Sequence, residues 1–257
     1  MKRECGVVLA DEQQYLLDSR LGPVARQHGH ASLTELVETV CSSLPSAPVA
    51  CSVVDALTTH ESLFFRDQAF WRQLEEHILP QLIAEADGRP LRFWSAACSH
   101  GQEPYSLAML LEEKWPHVAA TAQILASDVS PLAVQRGREG LYSMLEVNRG
   151  LVATRLLRHF TQESGSFRIQ SLLRNRISWF AYNLLGTDVG PSRCDVVLCR
   201  NVLIYFSDRD RAFTLERMES ASRPGGYIAL GGTETTPRPS LAPGWYQLPT
   251  TPIRGFP

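Results

Sequence analysis

The chain has 257 residues, a formal net charge of -2 at pH 7, and 44% hydrophobic against 20% charged residues. This composition is typical of a soluble globular protein, and the small net charge argues against a nucleic-acid binder that works through overall electrostatics. Its apolar runs fall short of the roughly 20 residues of a membrane span, and its six scattered cysteines, without a C-x-x-C pair, favour reduced thiols in the cytoplasm over a disulfide framework or a metal site.

The first part of the chain is predicted to be helical. Asp11 is in position to cap a helix over "EQQYLLDSRL", and Ser32 with Glu35 three residues later has the capping-box pattern of a second helix. Two prolines in "SSLPSAPVAC" (residues 42–51) then indicate a linker or a domain edge. We therefore predict a small all-α domain over residues 1–56.

A second amphipathic segment follows at residues 64–86. Pro80 either kinks this segment or starts a new helix, because proline cannot donate the hydrogen bond of a helix interior. With the residues just before it, this segment is predicted to connect two domains over residues 57–89. The apolar stripe that predicts the helix consists of Phe70, Leu74, Ile78 and Leu82.

From Leu91 the pattern changes to short apolar strands that alternate with helical stretches. This alternation predicts an α/β domain over residues 90–257, with a Rossmann-like, mostly parallel sheet and helices on both faces. Around "RNR", the β-branched and aromatic residues of 167–180 predict a small antiparallel hairpin, so a β-subdomain is placed at about 163–181. In the tail, "WYQL" is the stretch that suits an edge strand. The predicted strands are "LRFWSAA", "AQILASD", "CDVVLCR" and "GYIALGG".

The turn "SAACSHGQEPYS" (95–106) lies where an open α/β sheet binds its ligand, beyond the carboxyl end of a strand. It holds one glycine, Gly101, where a dinucleotide fingerprint requires three. Pro104 suits the first position of the next helix, which puts Glu103 at the helix N-terminus. A carboxylate there repels a pyrophosphate and attracts a cation. S-adenosylmethionine, which carries a sulfonium and an ammonium group but no phosphate, is therefore the predicted cofactor.

Polar residues follow the other predicted strands as well. Asp128 ends the second strand, where a carboxylate accepts ribose hydroxyls, although NAD enzymes place an acid similarly. Glu103 alone is equally consistent with an ordinary helix-start carboxylate. A cofactor site is favoured when the residues at successive strand ends are considered together. They are Glu103, Asp128, Asn183, Arg200 and Asn201.

Six segments of the chain carry a resemblance to a known family. The pairing of T-T-x-x-x-x-F-F-R with C-R-N-V-L-I-Y-F is highly specific, and together the segments resemble the CheR chemoreceptor glutamate methyltransferases. In chain order they are "LTTHESLFFRD" (57–67), "FWSAACSHGQEPYSLAM" (93–109), "ILASDVSPLAVQRGREGLY" (124–142), "YNLL" (182–185), "DVVLCRNVLIYF" (195–206) and "RPGGYIALGGTE" (223–234).

The resemblance implies a class I S-adenosylmethionine-dependent methyltransferase fold with a small N-terminal all-α domain and an inserted antiparallel β-subdomain. His60 stands where the family usually has Asn, and Ser62 where it often has Thr. "GGTE" (231–234) also differs from the usual G-H-S-E. The cofactor contacts that the resemblance implies are His60, Ser62, Arg66, Glu103, Asp128, Asn183, Leu184, Arg200 and Asn201.

The activity that the resemblance implies is methyl transfer to glutamate side chains of a chemoreceptor, which gives methyl esters. A glutamate with a pKa of about 4.3 is already a carboxylate at pH 7, so its in-line attack needs no general base. The enzyme then has to orient and desolvate two charged reactants. Arg66 and Tyr205 are the candidates for this catalytic role, and the sequence leaves open whether Arg66 holds the cofactor or the substrate carboxylate. The competing interpretations are that Arg200 forms a structural ion pair, that Tyr205 is a packing residue, and that "FF" belongs to the core.

The expected partner is the cytoplasmic helical bundle of a methyl-accepting chemoreceptor. The β-subdomain, with Arg168, Arg174 and Arg176, is a candidate dock for an acidic receptor tail. The main alternative is a weak or inactive S-adenosylmethionine-binding module of a signalling complex. An NAD-dependent oxidoreductase ranks third, because Glu103 and the missing glycines argue against it.

Overall fold

The computed structural model describes residues 14–235 and 244–250, so the predicted cap at Asp11 lies outside the described residues. Three helices, α1 (Gln14–Gln27), α2 (Leu33–Ser42) and α3 (Pro48–Leu57), enclose an apolar cluster of their own. Ser32 caps α2 by accepting the N–H of Glu35, while the Glu35 carboxylate accepts the N–H of Ala31. The break predicted at 42–51 is shorter than expected, because Pro48 begins α3, where its missing N–H costs nothing.

The amphipathic segment consists of α4 (Gln68–Gln73), a π-helical turn (Leu74–Ile78) and α5 (Leu79–Ala86). Pro80 lies in the first turn of α5, directly after the wider turn that accommodates it. The predicted apolar stripe is confirmed, since all four of its side chains are buried.

The main sheet has six strands in the order β6-β2-β1-β7-β8-β9. Its first five strands are parallel, and β9 pairs antiparallel with β8 at the edge, as predicted for "WYQL". The chain leaves β1 toward β2 and β6, and then crosses to β7 on the other side of β1. The strands are β1 (Arg92–Ala96), β2 (Gln123–Asp128), β6 (Ile177–Ala181), β7 (Cys194–Leu198), β8 (Ser222–Ala229) and β9 (Trp245–Gln247).

Apolar cores lie on both faces of this sheet, as expected of a class I methyltransferase fold. The longer helices beside the sheet are α6 (Gln102–Lys114), α8 (Pro131–Glu139) and α12 (Asp208–Ala221), and α7 (Pro116–Ala119) is a single turn. Because strand order reverses at β1 and β7, a crevice is expected at their carboxyl ends. No helix of the described residues has the length and apolar character to span a bilayer.

The inserted antiparallel sheet exists, but the predicted hairpin is wrong in its position. Its strands are β3 (Leu141–Ser143), β4 (Phe160–Glu163) and β5 (Ser166–Ile169), and its turn is Ser164–Gly165. Short helices α9 (Met144–Asn148), α10 (Ala153–His159) and α11 (Ser171–Arg174) surround it.

The residues predicted as the second hairpin strand belong to the main sheet instead. They form β6, which pairs parallel with β2. Ile177 and Trp179 are buried in the core, so the alternation of apolar side chains here reflects a sheet edge covered on one face. The predicted domain boundaries at residues 56 and 89 stay a prediction.

Candidate active site

A cleft of about 400 Å³ lies at the carboxyl ends of β1, β2, β6 and β7, next to the helical domain. All ten residues predicted for the site line it, although they come from five separate stretches of the chain. Their individual roles stay predictions. These residues are His60, Ser62, Arg66, Glu103, Asp128, Asn183, Leu184, Arg200, Asn201 and Tyr205.

The turn after β1 has an unusual backbone. Ala97, Ser99 and Gly101 all have positive φ, at 56°, 53° and 90°. A Cβ on Gly101 would lie 2.5 Å from the Trp179 ring and 3.2 Å from the Cα of Gly137. The single glycine of this turn is therefore explained by its left-handed backbone and by close packing on Trp179.

Glu103 is held by two neighbours in the first turn of α6. Ser95 donates its hydroxyl to Oε1 at 2.7 Å, and Nη1 of Arg200 donates to Oε2 at 3.1 Å. Its side chain is only 14% exposed to solvent. The carboxylate thus lines the cleft in a fixed position, as a cation-binding group requires.

Arg200 joins three elements of the cleft wall. Besides Glu103, its guanidinium donates to Asp67 Oδ2 at 2.5 Å and to the carbonyl of Arg66 at 3.2 Å. It also lies 3.8 Å above the ring centroid of Phe70. Arg200 therefore forms the structural ion pairs that the sequence left open, and it ties the "FFRD" segment to the start of α6 and to the end of β7.

Asp128 is buried at the end of β2. Its Oδ2 accepts the N–H of Ser99 at 2.8 Å, and its Oδ1 accepts the N–H of Ser130 at 3.0 Å. Burial raises the pKa of Asp128, and the hydrogen bonds from Ser130 and Ser99 offset this only in part. Each oxygen retains a second lone pair, so the carboxylate can still accept a ligand hydroxyl.

His60 contacts the helical domain as well as the cleft. Its Nε2 lies 3.1 Å from Oδ1 of Asp55 and 2.7 Å from the hydroxyl of Thr58, and its ring stacks on His100 with centroids 4.9 Å apart. Burial lowers the pKa of His60, but the hydrogen bond to Asp55 and the charge of Asp128 raise it more, so that the net shift is upward. Burial lowers the pKa of His100 to about 4.

Asp55 continues this network into the sheet domain. The hydroxyl of Ser130 donates to Asp55 Oδ1 at 2.5 Å, and the same hydroxyl caps α8 by accepting the N–H of Ala133. Helix α3 is therefore linked through Ser130 to the loop that carries Asp128.

Arg66 and Tyr205 lie at the more exposed part of the cleft. Nη1 of Arg66 donates to the carbonyl of Glu61 at 3.2 Å, and within residues 14–235 and 244–250 its guanidinium forms no ion pair. Tyr205 is 47% exposed, so it borders the opening. Phe64 and Phe65 are buried in the core, which confirms that they are packing residues.

Among the lining residues that the sequence did not predict, two polar ones are informative. Arg20, from α1, donates to the carbonyl of Leu57 at 3.0 Å, and nothing local in the sequence indicates that this helix reaches the cleft. Ser99 was part of the quoted turn, and its position at a strand end was the available signal. Its buried hydroxyl has no hydrogen-bond partner among the described residues.

The unpartnered hydroxyl of Ser99 indicates whether the cleft suits a polar cofactor. Buried hydroxyls normally have a partner, so the Ser99 Oγ indicates a ligand that supplies one. Together with Glu103 and Asp128, the donors and acceptors fit a cationic nucleoside cofactor. The part of the chain that the structure describes contains no cluster of three or more His, Cys, Asp or Glu side chains that would hold a metal ion.

The family model described as "CheR methyltransferase, SAM binding domain" matches residues 60–244. Chemotaxis protein methyltransferase Cher2 of Pseudomonas putida is 38% identical over 239 residues, covering 91% of this chain and 86% of the relative. Chemotaxis protein methyltransferase 1 of Pseudomonas aeruginosa is 39% identical with the same coverage, and that of Vibrio cholerae is 35% identical over 240 residues. The chain belongs to the CheR methyltransferase family, whose cofactor is S-adenosylmethionine.

Proposed function

We propose that this methyltransferase transfers the methyl group of S-adenosylmethionine to glutamate carboxylates of a chemoreceptor and gives glutamate methyl esters. The observation that carries the proposal is the separation of charge in one cleft. Glu103 and Asp128 are the little-exposed acids, whereas Arg66 is a half-exposed cation without a carboxylate partner among the described residues. This arrangement suits a cationic cofactor at the acids and an anionic acceptor at the arginine.

The bound cofactor would supply an electrophilic methyl group on its sulfonium. Glu103 would hold its positive charge, Asp128 its hydroxyl groups, and the Ser99 hydroxyl a further polar atom. The remaining contacts would come from the other predicted residues of the wall, which are His60, Ser62, Asn183, Leu184, Arg200 and Asn201.

The acceptor glutamate is ionised at neutral pH, so this chain has no proton to remove. Arg66 would orient the acceptor carboxylate, and Tyr205 would cover it from the rim and exclude water. The covalent change is one bond formed between carboxylate oxygen and methyl carbon and one bond broken between that carbon and sulfur, which leaves as a neutral thioether.

The names of the relatives place them in chemotaxis, which supports a chemoreceptor as substrate and the cytoplasm as the place of action. Docking of an acidic receptor tail on the β-subdomain is less well supported. Arg168 is paired with Glu163 at 2.7 Å, Arg176 is paired with Glu112, and Arg174 donates to the carbonyl of Ile169. Tail docking through these three arginines would have to compete with their existing contacts.

The test is transfer of labelled methyl groups from S-adenosylmethionine to cytoplasmic fragments of chemoreceptors. Label that base releases as methanol supports the proposal. Binding of S-adenosylhomocysteine in a calorimeter without methyl transfer to any fragment would instead favour the regulatory module.

Arg66→Ala separates the two roles of this residue. If Arg66 orients the acceptor, the variant should lose about 100-fold in kcat/KM and bind S-adenosylhomocysteine as before. A weakened affinity for S-adenosylhomocysteine would assign Arg66 to the cofactor. Arg72→Ala, at an exposed position on α4, is the matched control and should change neither quantity.

A further inference from the structure

Glu234, the last residue of "GGTE", is a buried carboxylate outside the cleft. Its exposed fraction is 9%, and no basic side chain of residues 14–235 and 244–250 forms an ion pair with it. The carboxylate instead accepts four backbone N–H groups, from Asn201 at 3.0 Å, Val202 at 3.0 Å, Leu203 at 2.8 Å and Gly231 at 2.5 Å.

Three of these donors belong to the turn that follows β7. Successive N–H groups that converge on one point form an anion-binding concavity, and here a side chain of the same protein occupies it. Asn201 takes a left-handed conformation in this turn, with φ at 60°. Without an acceptor at this place, the turn would leave several N–H groups unpaired near the core, which is costly.

The same turn carries cleft residues at both of its ends. Arg200 and Asn201 line the cleft at its start, and Tyr205 lines it just after, in the 3₁₀ turn Leu203–Tyr205. The conformation of the turn therefore determines where these three side chains lie.

Gly231 gives an independent indication that the two segments fit closely. A Cβ at this position would lie 2.7 Å from Nδ2 of Asn201 and 2.9 Å from Oε2 of Glu234. The backbone of "GGTE" thus packs directly against the turn, and glycine leaves the space for it.

We propose that Glu234 is a positioning residue for methyl transfer. Its carboxylate fixes the turn at residues 201–203, and through that turn it places Arg200 and Asn201 toward the cofactor and Tyr205 toward the acceptor. It touches neither reactant. The acceptor part of this inference rests on the proposed function, whereas the cofactor part does not.

Glu234→Gln is the first variant to measure. The amide keeps the shape of the side chain, but its NH₂ group faces N–H donors where an oxygen had accepted them. The expected result is about tenfold weaker binding of S-adenosylhomocysteine and a loss of up to about 100-fold in kcat, since small displacements of positioning groups cost this much. Unchanged affinity and unchanged kcat in a folded Glu234→Gln would overturn the proposal.

Asp195→Asn is the matched control, because Asp195 is also a buried carboxylate that accepts a backbone N–H, at the opposite end of the sheet. It should lower the unfolding temperature and leave affinity and kcat unchanged at temperatures where it is folded. Thr233→Ala, an exposed neighbour of Glu234, should change none of the three quantities. If Asp195→Asn impaired binding and catalysis as much as Glu234→Gln, a merely structural role would explain both.

Gly231→Ala keeps the carboxylate but places a Cβ against both Glu234 Oε2 and Asn201, so it tests the same contact if Glu234→Gln does not fold. The same loss of affinity supports the proposal, and wild-type affinity contradicts it. If the wild-type chain methylates no receptor fragment, the proposed function fails, while the binding measurements with S-adenosylhomocysteine still test Glu234.

Discussion

Acidic and basic side chains lie at both the amino and the carboxyl end of the main sheet, but they have different roles there. At the amino end, Asp195 of β7 is fully buried between neighbouring strands. Its oxygens accept two bonds from Arg89 at 2.7 and 3.1 Å and the N–H of Arg92 at 2.8 Å, and Nε of Arg223 lies 2.7 Å away. The carboxylate there is ion-paired with two arginines inside the protein.

At the carboxyl end, some polar and charged groups have no partner among the described residues. Glu103 and Arg200 are paired, but the Ser99 hydroxyl has no partner and Arg66 no carboxylate among the described residues. The difference is that Ser99 and Arg66 present their unused groups to the cleft, as a binding site requires, whereas Asp195 is paired inside the sheet.

Part of the strained backbone of the protein lies at the cleft. Three of the eight non-glycine residues with positive φ in the described part of the chain line the cleft, namely Ala97, Ser99 and Asn201, and two more, Phe65 and Asp67, flank the lining residue Arg66. Such conformations cost roughly 1 kcal/mol or more each, and the surrounding packing has to maintain them. The cleft is therefore built at some expense of stability.

The largest effect is expected at the amino end. Asp195→Asn removes the negative charge between Arg89 and Arg223, and should lower the free energy of unfolding by about 3 kcal/mol. Denaturant unfolding monitored by circular dichroism measures this loss. The affinity for S-adenosylhomocysteine should stay at the wild-type value, and a parallel loss of affinity would break the division of roles between the two ends.

A smaller effect, on binding alone, is expected from Glu103→Ala. Removal of a carboxylate that faces a cationic ligand should weaken binding of S-adenosylmethionine by about 2 kcal/mol, or about 30-fold. Calorimetry measures the affinity, and circular dichroism checks that the fold is kept. Glu103→Gln, which retains an acceptor for Ser95, should lose part of this affinity, and wild-type affinity in both variants would refute the charge argument.

The smallest effect concerns pH and His60. The pKa of His60 is raised in the folded protein, so the stability from its contact with Asp55 is fully present below about pH 6.5 and is lost as pH rises through the higher folded value. The charged and titratable groups that face it are Asp55, Asp128 and His100, the last of which is neutral at these pH values.

His60→Asn, which restores the residue usual in the family, removes this titration. Its free energy of unfolding should fall below that of the wild type by up to about 1 kcal/mol near pH 6, and the difference should shrink toward pH 9. Denaturant unfolding at several pH values measures it. A difference that is constant with pH would show that His60 contributes by packing and not by charge.

Much of the site was predictable because parallel strands end at one edge of a sheet. Glu103, Asp128 and Arg200 follow separate strands, and topology alone brings them to one cleft. The hairpin was misplaced because alternating apolar residues look the same in an inserted hairpin and in β6, an edge strand of the main sheet. Arg20 gave no signal, since its approach to the cleft depends on how α1 packs.

The sequence by itself determined the family through its motifs, and it indicated the cofactor and the strand-end acids through local order and charge. Only the tertiary structure decided which partners the residues around the cleft pack against and hydrogen-bond to. Gly101 is required by Trp179, which is far from it in sequence, and Glu234 has its role through N–H groups that another strand end supplies. Close packing and hydrogen-bond satisfaction are properties of the assembled core, so local pattern does not contain them.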